Sequence, residues 1–280
     1  MPLQLAVRSR VVVDNDWSGD PDGLVALAHH LLSPTNVVRL VTSTFLHPVF
    51  GSPVSRAADG ARLAQELVDL IGMAEPPVVL AGGDGPFDAA SSPGADALVA
   101  EARRDDDLPL FVVCGGPLTT VAQALRQAPD VVDRFTLVWV GGALDPAAEE
   151  YNRDTDPAAA EFVTSFPGLV LWQFPLETYR QCAYSVAELE VDLGGPGRVG
   201  RWLWERYLRL PLPDFVRPGG VWPLGDSPPV LVTALDDASS AFEETPTGRV
   251  YTAVDTRLLV GDLLARLRLH DRTAGDRGPG

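Results

Sequence analysis

At 280 residues and 46% hydrophobic content, the chain can bury a sizeable core in one large α/β domain. No apolar run approaches the about 18 to 20 residues of a membrane helix. A formal net charge of −16 speaks against nucleic-acid or anionic-membrane partners, which need basic patches, and all 22 basic residues are arginine, which removes lysine Schiff-base and P-loop chemistry.

The opening MPLQLAVRSRVVV lacks the pattern of a secretory signal, so a cytoplasmic protein is expected. Arg10–Val13 reads as a buried strand and Leu24–Leu32 as a helix; Val38–Thr42 is a strand and Ser55–Ile71 a helix. Val78–Leu80, Leu110–Val113, Phe135–Val140 and Leu169–Gln173 continue the strands, with helices at Ala95–Arg103, Leu118–Gln127 and Pro157–Ser165 between them. The strands are continuous apolar runs, as when both faces of a sheet are covered. Strand–helix alternation predicts an α/β fold with a mostly parallel, Rossmann-like central sheet flanked by helices. Beyond residue 176 the pattern weakens. Trp202–Leu208 looks helical, Leu210–Pro223 is a Pro/Gly-rich loop, Pro229–Leu235 is helical, Arg249–Val254 is a strand and Thr256–Leu269 is a closing helix. One domain over residues 1–270 and a disordered tail over 271–280 are expected. Cys114 and Cys182 read as buried free thiols, and His29, His30, His47 and His270 show no zinc-ligand spacing.

Between the first strand and first helix lies DNDWSGDPDG, with Asp14, Asp16, Asp20 and Asp22 within nine residues. In open α/β sheets ligands bind beyond the carboxyl ends of the strands, where this turn falls. A helix N-terminus offsets the repulsion of one or two carboxylates, and the nearest arginines, Arg8 and Arg10, lie at the start of the strand. The pattern therefore points to a hard divalent cation, Ca²⁺ or Mg²⁺. It is not an EF-hand loop: the position of the bidentate glutamate is Val25, and a strand precedes it. A Mg²⁺ phosphohydrolase would lack the lysine that neutralises phosphate.

The turn resembles the DxDPGxDDxxAL motif of the inosine–uridine nucleoside hydrolase family, with two extra residues. Val112–Ala143, VVCGGPLTTVAQALRQAPDVVDRFTLVWVGGA, resembles that family's GPLTN helix and following strand. EEYNRDTDPAAAEF is similar to its EFNxxxDPEAA segment, GDSPPVL falls at its late HDP motif, and RVYTAVDTRLLVGDLL resembles its closing strand and helix. The resemblance implies the nucleoside hydrolase fold and calcium-dependent hydrolysis of the N-glycosidic bond of ribonucleosides, with a homo-oligomer possible. By position it implies Asp16 as calcium ligand and general base, Thr119 as a carbonyl ligand and Asp226 as the distal ligand, with Asp20 and Asp22 close to the metal. Glu150 and Asn152 match residues that hold the ribose hydroxyls, and His47 falls near an expected ribose-contacting asparagine; Asp14 is a further expected substrate contact, and Trp222, near enough in sequence to stack on the base, is a candidate for that role with Tyr151 and Tyr179. Two departures stand out. The second Asp of the DD pair is Gly23, and the histidine before Asp226 is Gly225. They keep open a different N-riboside as substrate, or a degenerate metal-binding module.

Overall fold

A computed structural model describes residues 3–48, 56–88, 90–195, 197–210, 212 and 219–275. The strands are β1 (Ser9–Asn15), β2 (Asn36–Ser43), β3 (Val78–Ala81), β4 (Leu110–Cys114), β5 (Thr136–Val140), β6 (Val170–Phe174), β7 (Ala183–Ser185), β8 (Val221–Pro223), β9 (Ala241–Thr245) and β10 (Gly248–Ala253). The helices are α1 (Asp22–Leu32), α2 (Ala57–Ile71), α3 (Pro93–Ala102), α4 (Thr119–Gln127), α5 (Tyr151–Thr155), α6 (Pro157–Thr164), α7 (Leu176–Tyr179), α8 (Val186–Leu193), α9 (Arg198–Arg209), α10 (Pro229–Thr233) and α11 (Thr256–Gly275). Eight strands form one sheet in the order β3-β2-β1-β4-β5-β6-β10-β9, and β7 pairs with β8 in a separate antiparallel ribbon. Every pairing in the large sheet is parallel except β10 with β9.

The apolar runs are continuous because each strand feeds two cores. Val11 and Val13 pack with Leu24, Leu27 and Leu67 on one face, whereas Val12 packs with Leu98, Val121 and Leu125 on the other. Helix starts follow local chemistry. Ser92 caps α3 by accepting from the Ala95 amide at 3.2 Å, with Pro93 at the first helical position. Gly72, at φ +67, closes α2 in the left-handed conformation.

β1 is the topological switch point: the chain moves to β2 on one side and later returns to β4 on the other. The crevice beyond its carboxyl end therefore collects the segments following β1, β2, β4 and β5. The closing helix runs to Gly275, so residues 271–275 continue the helix rather than start a tail; residues 276–280 lie outside the described ones. The expected loop Leu210–Pro223 ends in β8, and its residues 211 and 213–218 lie outside the described ones. Cys114 and Cys182 are free and buried. Among the described residues no helix is long and apolar enough to cross a membrane.

Candidate active site

The turn between β1 and α1 is held by its tryptophan. Trp17 is buried against the core, and its indole N–H donates to the Thr42 carbonyl at 2.7 Å. The Gly19 amide donates to the Asp16 carbonyl at 2.7 Å and closes the loop. This anchoring points Asp16 and Asp22 inward and leaves Asp20 exposed, where it accepts from the Asp22 amide at 3.3 Å.

Asp226 arrives from the segment between β8 and α10. Its amide donates to Asp22 Oδ2 at 3.1 Å, and its own Oδ2 accepts from Asn15 Nδ2 at 2.9 Å. Asp16 Oδ2 accepts from the Tyr151 hydroxyl at 3.1 Å. Each of these three buried carboxylates is thus oriented through one oxygen by an uncharged donor. Among the described residues none of them has a cationic partner. Burial pushes Asp16 and Asp22 well above the usual carboxylate range, and the charges of Asp226 and Asp20 push both further. Burial likewise raises Asp226 to about 8 against the hydrogen bond from Asn15.

The other expected site residues take varied places. Asp14 lies within the sheet, in register with Thr42 and Cys114 on the neighbouring strands. Its oxygens accept from Thr42 Oγ1 at 2.5 Å and Cys114 Sγ at 3.5 Å, so it lies fully buried beneath the crevice floor. The Thr119 hydroxyl donates to Asp156 at 2.5 Å, tying the start of α4 to the cap of α6. Glu150 caps α5: it accepts from the amides of Gly142, Asn152 and Arg153 and from the Tyr179 hydroxyl. Asn152 Nδ2 donates to the Gly115 and Val140 carbonyls at 3.0 and 2.8 Å. The backbone amide of His47 donates to the Tyr151 hydroxyl at 3.3 Å, and the two rings meet edge-on.

Trp222 packs edge-to-face on Tyr207 at 5.8 Å between centroids. The indole N–H of Trp222 and the hydroxyl of Tyr207 are both buried without a hydrogen-bond partner among the described residues. Burial raises the Tyr207 phenol, and the carboxylates of Asp22, Asp20 and Asp226 add to that shift. Tyr207 escaped the sequence reading because it sits in an ordinary amphipathic helix, α9, with no local motif. At Gly225 a Cβ would fall 3.1 Å from the Tyr179 ring and 3.4 Å from Asp22 Oδ2, so a side chain there would need Tyr179 to give by a few tenths of an ångström.

The donor set suits a hard divalent cation: inward carboxylates, no basic partner, and close backbone approach at Gly23 and Gly115. Among the described residues no three His, Cys, Asp or Glu side chains are grouped closely enough to hold a metal ion.

The sequence profile described as inosine-uridine preferring nucleoside hydrolase matches residues 11–209. The chain belongs to this family. It is therefore an N-ribosyl hydrolase, a glycosidase acting on small-molecule nucleosides. The solved structures agree in fold. An inosine-guanosine nucleoside hydrolase superposes with a TM-score of 0.74 at 17% identity, covering 94% of this chain and 99% of that one. A purine-preferring ribonucleoside hydrolase from Gardnerella vaginalis gives 0.71 at 19% identity, covering 95% and 100%. An inosine-uridine preferring nucleoside hydrolase from Bacillus anthracis gives 0.70 at 17%, covering 93% and 99%. At such identities the likeness is one of fold. An uncharacterized protein of Schizosaccharomyces pombe is 32% identical over 112 residues, 38% of this chain, and the match spans 36% of that relative's own length.

Proposed function

We propose that this nucleoside hydrolase cleaves the N-glycosidic bond of ribonucleosides with Ca²⁺ held by Asp16, Asp22 and Asp226, and with Asp20 at the mouth. The observation that carries this reading is the group of three buried, inward carboxylates without a cationic partner among the described residues, beyond the carboxyl end of β1. Oxygen donors of this kind suit Ca²⁺. The Thr119 carbonyl completes the donor set by analogy with the family's motif.

A hard cation there supplies polarisation of water and a grip on vicinal hydroxyls. The chain does the rest. Asp16 takes the proton from the attacking water, with its Oδ2 fixed by Tyr151 and its other oxygen left for the proton. The negative crevice favours the oxocarbenium-like sugar that develops as the bond breaks. Asn152 meets the ribose through its side-chain oxygen. Asp14 acts from below, through Thr42 and Cys114, rather than by touching substrate. Glu150 holds the α5 turn that presents Tyr151 and Asn152, and His47 lines the rim beside Tyr151. On the base side, the Tyr207 hydroxyl and Trp222 indole N–H offer donors to the departing base in place of the family histidine.

A panel of purine and pyrimidine ribonucleosides with p-nitrophenyl riboside, assayed for reducing sugar in EDTA and after Ca²⁺ is restored, tests this beside Asp16→Asn. Activity lost in EDTA, regained with Ca²⁺ and absent in Asp16→Asn is expected; activity indifferent to both overturns the reading. Gly225 favours a second outcome within the same chemistry. With no histidine at position 225 to protonate the base, substrates with good leaving groups would outpace inosine.

A further inference from the structure

Asn15, the last residue of β1, is buried and joins two functional segments. Its Oδ1 accepts from the Asp16 amide at 2.8 Å, and its Nδ2 donates to Asp226 Oδ2 at 2.9 Å. The amide is sandwiched between two glycines. A Cβ at Gly23, in the first turn of α1, would fall 2.7 Å from Asn15 Nδ2 and 3.1 Å from Asp226 Oδ2. A Cβ at Gly115, just beyond β4, would fall 2.5 Å from the same nitrogen and 2.9 Å from Asp226 Oδ1. Neither glycine has a positive φ, so backbone conformation does not demand them; space does.

We propose that Asn15 is a positioning residue of the site, an amide clamp that ties Asp226 to the Asp16 peptide and occupies the room a side chain at position 23 would need. The missing second aspartate of the turn then has a physical account. The side chain that reaches Asp226 comes from the end of the strand instead of the start of the helix, and it is a donor instead of a second anion. A carboxylate beside Asp226 would repel it until a cation arrived. The amide holds Asp226 in place beforehand and leaves Oδ1 as its available oxygen. A carboxamide that orients a ligand carboxylate acts through that ligand, and loss of such partners costs about 10- to 100-fold in metal affinity.

This inference rests on the cation reading above. The test is a double-mutant cycle on the full chain: Asn15→Ala, Gly23→Ala and both together. Ca²⁺ affinity is read by titration calorimetry, with thermal midpoints in EDTA and kcat and KM on a riboside alongside. Asn15→Ala is expected to weaken Ca²⁺ by about 10- to 100-fold. Gly23→Ala should cause a comparable loss because its methyl displaces the amide, and the double variant should be no weaker than Asn15→Ala alone. Wild-type affinity in Asn15→Ala, or losses that multiply in the double variant, overturn the clamp. Asn15→Ser keeps an acceptor for the Asp16 amide but is too short to reach Asp226; it serves where alanine fails to fold and is expected to show the same loss. If the wild-type chain takes up no Ca²⁺, the cation reading fails separately. The clamp is then judged on the midpoints in EDTA, where coupling between positions 15 and 23 supports it and additivity refutes it.

Discussion

Replacing Asp14 by asparagine should change how stability depends on pH. Asp14 is fully buried, and both its oxygens accept from neutral donors, Thr42 and Cys114. Burial raises its pKa from 3.8 to about 7. Folding therefore favours the protonated form. The stability this group contributes is fully present below about pH 4 and is lost as pH rises through about 7. At about 1.4 kcal/mol per pH unit, that span corresponds to about 4 kcal/mol. Asparagine is neutral throughout and keeps an acceptor for Thr42. Urea unfolding of both proteins in EDTA, from pH 4 to 8, isolates this group because all other titrations are shared. The advantage of wild type over Asp14→Asn should be largest at pH 4 and shrink by up to about 4 kcal/mol by pH 8. A difference that stays constant with pH would refute the reasoning, since it would mean that Asp14 titrates alike in the folded and unfolded chains.

Tyr151→Phe removes the hydroxyl that fixes Asp16 Oδ2 and keeps the ring beside His47; kcat should drop by about tenfold with KM unchanged, and an unaltered kcat would show that the bond does not orient the base. Tyr207→Phe deletes a buried hydroxyl with no partner among the described residues. A buried unsatisfied group costs about 1 to 3 kcal/mol, so the variant should melt higher while turning over more slowly, and a lower melting point would mean that the hydroxyl is bonded in solution. Gly248 sits at φ +146, with a Cβ there only 2.0 Å from the Leu171 carbonyl oxygen. Gly248→Ala should therefore cost about 3 kcal/mol or more in denaturant unfolding and loosen the pairing of β10 with β6; a cost below about 1 kcal/mol would contradict the steric argument.

The strands of the sheet were readable wherever burial on both faces wrote a continuous apolar run, as in Val11–Val13 or Leu137–Val140. β9 was not: Ala241–Thr245 is an edge strand carrying Glu243 and Glu244, with no apolar alternation to mark it. α5 and α7 span little more than one turn, too short for a helical period to show. The acidic turn marked the candidate site in the sequence, but the depth of its residues was hidden. Asp14 and Asp16 look equivalent in sequence; the first lies opposite Thr42 and Cys114 inside the sheet, and the second lies past the strand's end. Which of Asp20 and Asp22 turns inward is decided by Trp17 anchoring the loop, a tertiary contact. The parts taken by Asn15 and Tyr207 depend on segments far apart in the chain meeting, and no local pattern reports that.

The donors that orient the acidic residues share one property. Thr42 and Cys114 hold Asp14, Tyr151 holds Asp16, the Asp226 amide holds Asp22 and Asn15 holds Asp226, and none of these donors is charged. The chain has arginines enough, yet they pair elsewhere: Arg10 with Glu101, Arg103 with Asp130, Arg153 with Asp154. A guanidinium in the crevice would orient a carboxylate equally well, but it would also cancel the field that the crevice concentrates. Neutral donors fix direction and leave the charge in place. The raised pKa values of Asp16, Asp22 and Asp226 express the resulting cost to the protein without a cation. In the proposed reaction the bound cation relieves part of that cost beforehand, and the developing oxocarbenium-like sugar relieves more only as the glycosidic bond breaks. An interaction gained along the reaction coordinate accelerates the step, whereas one already satisfied by an internal arginine would not.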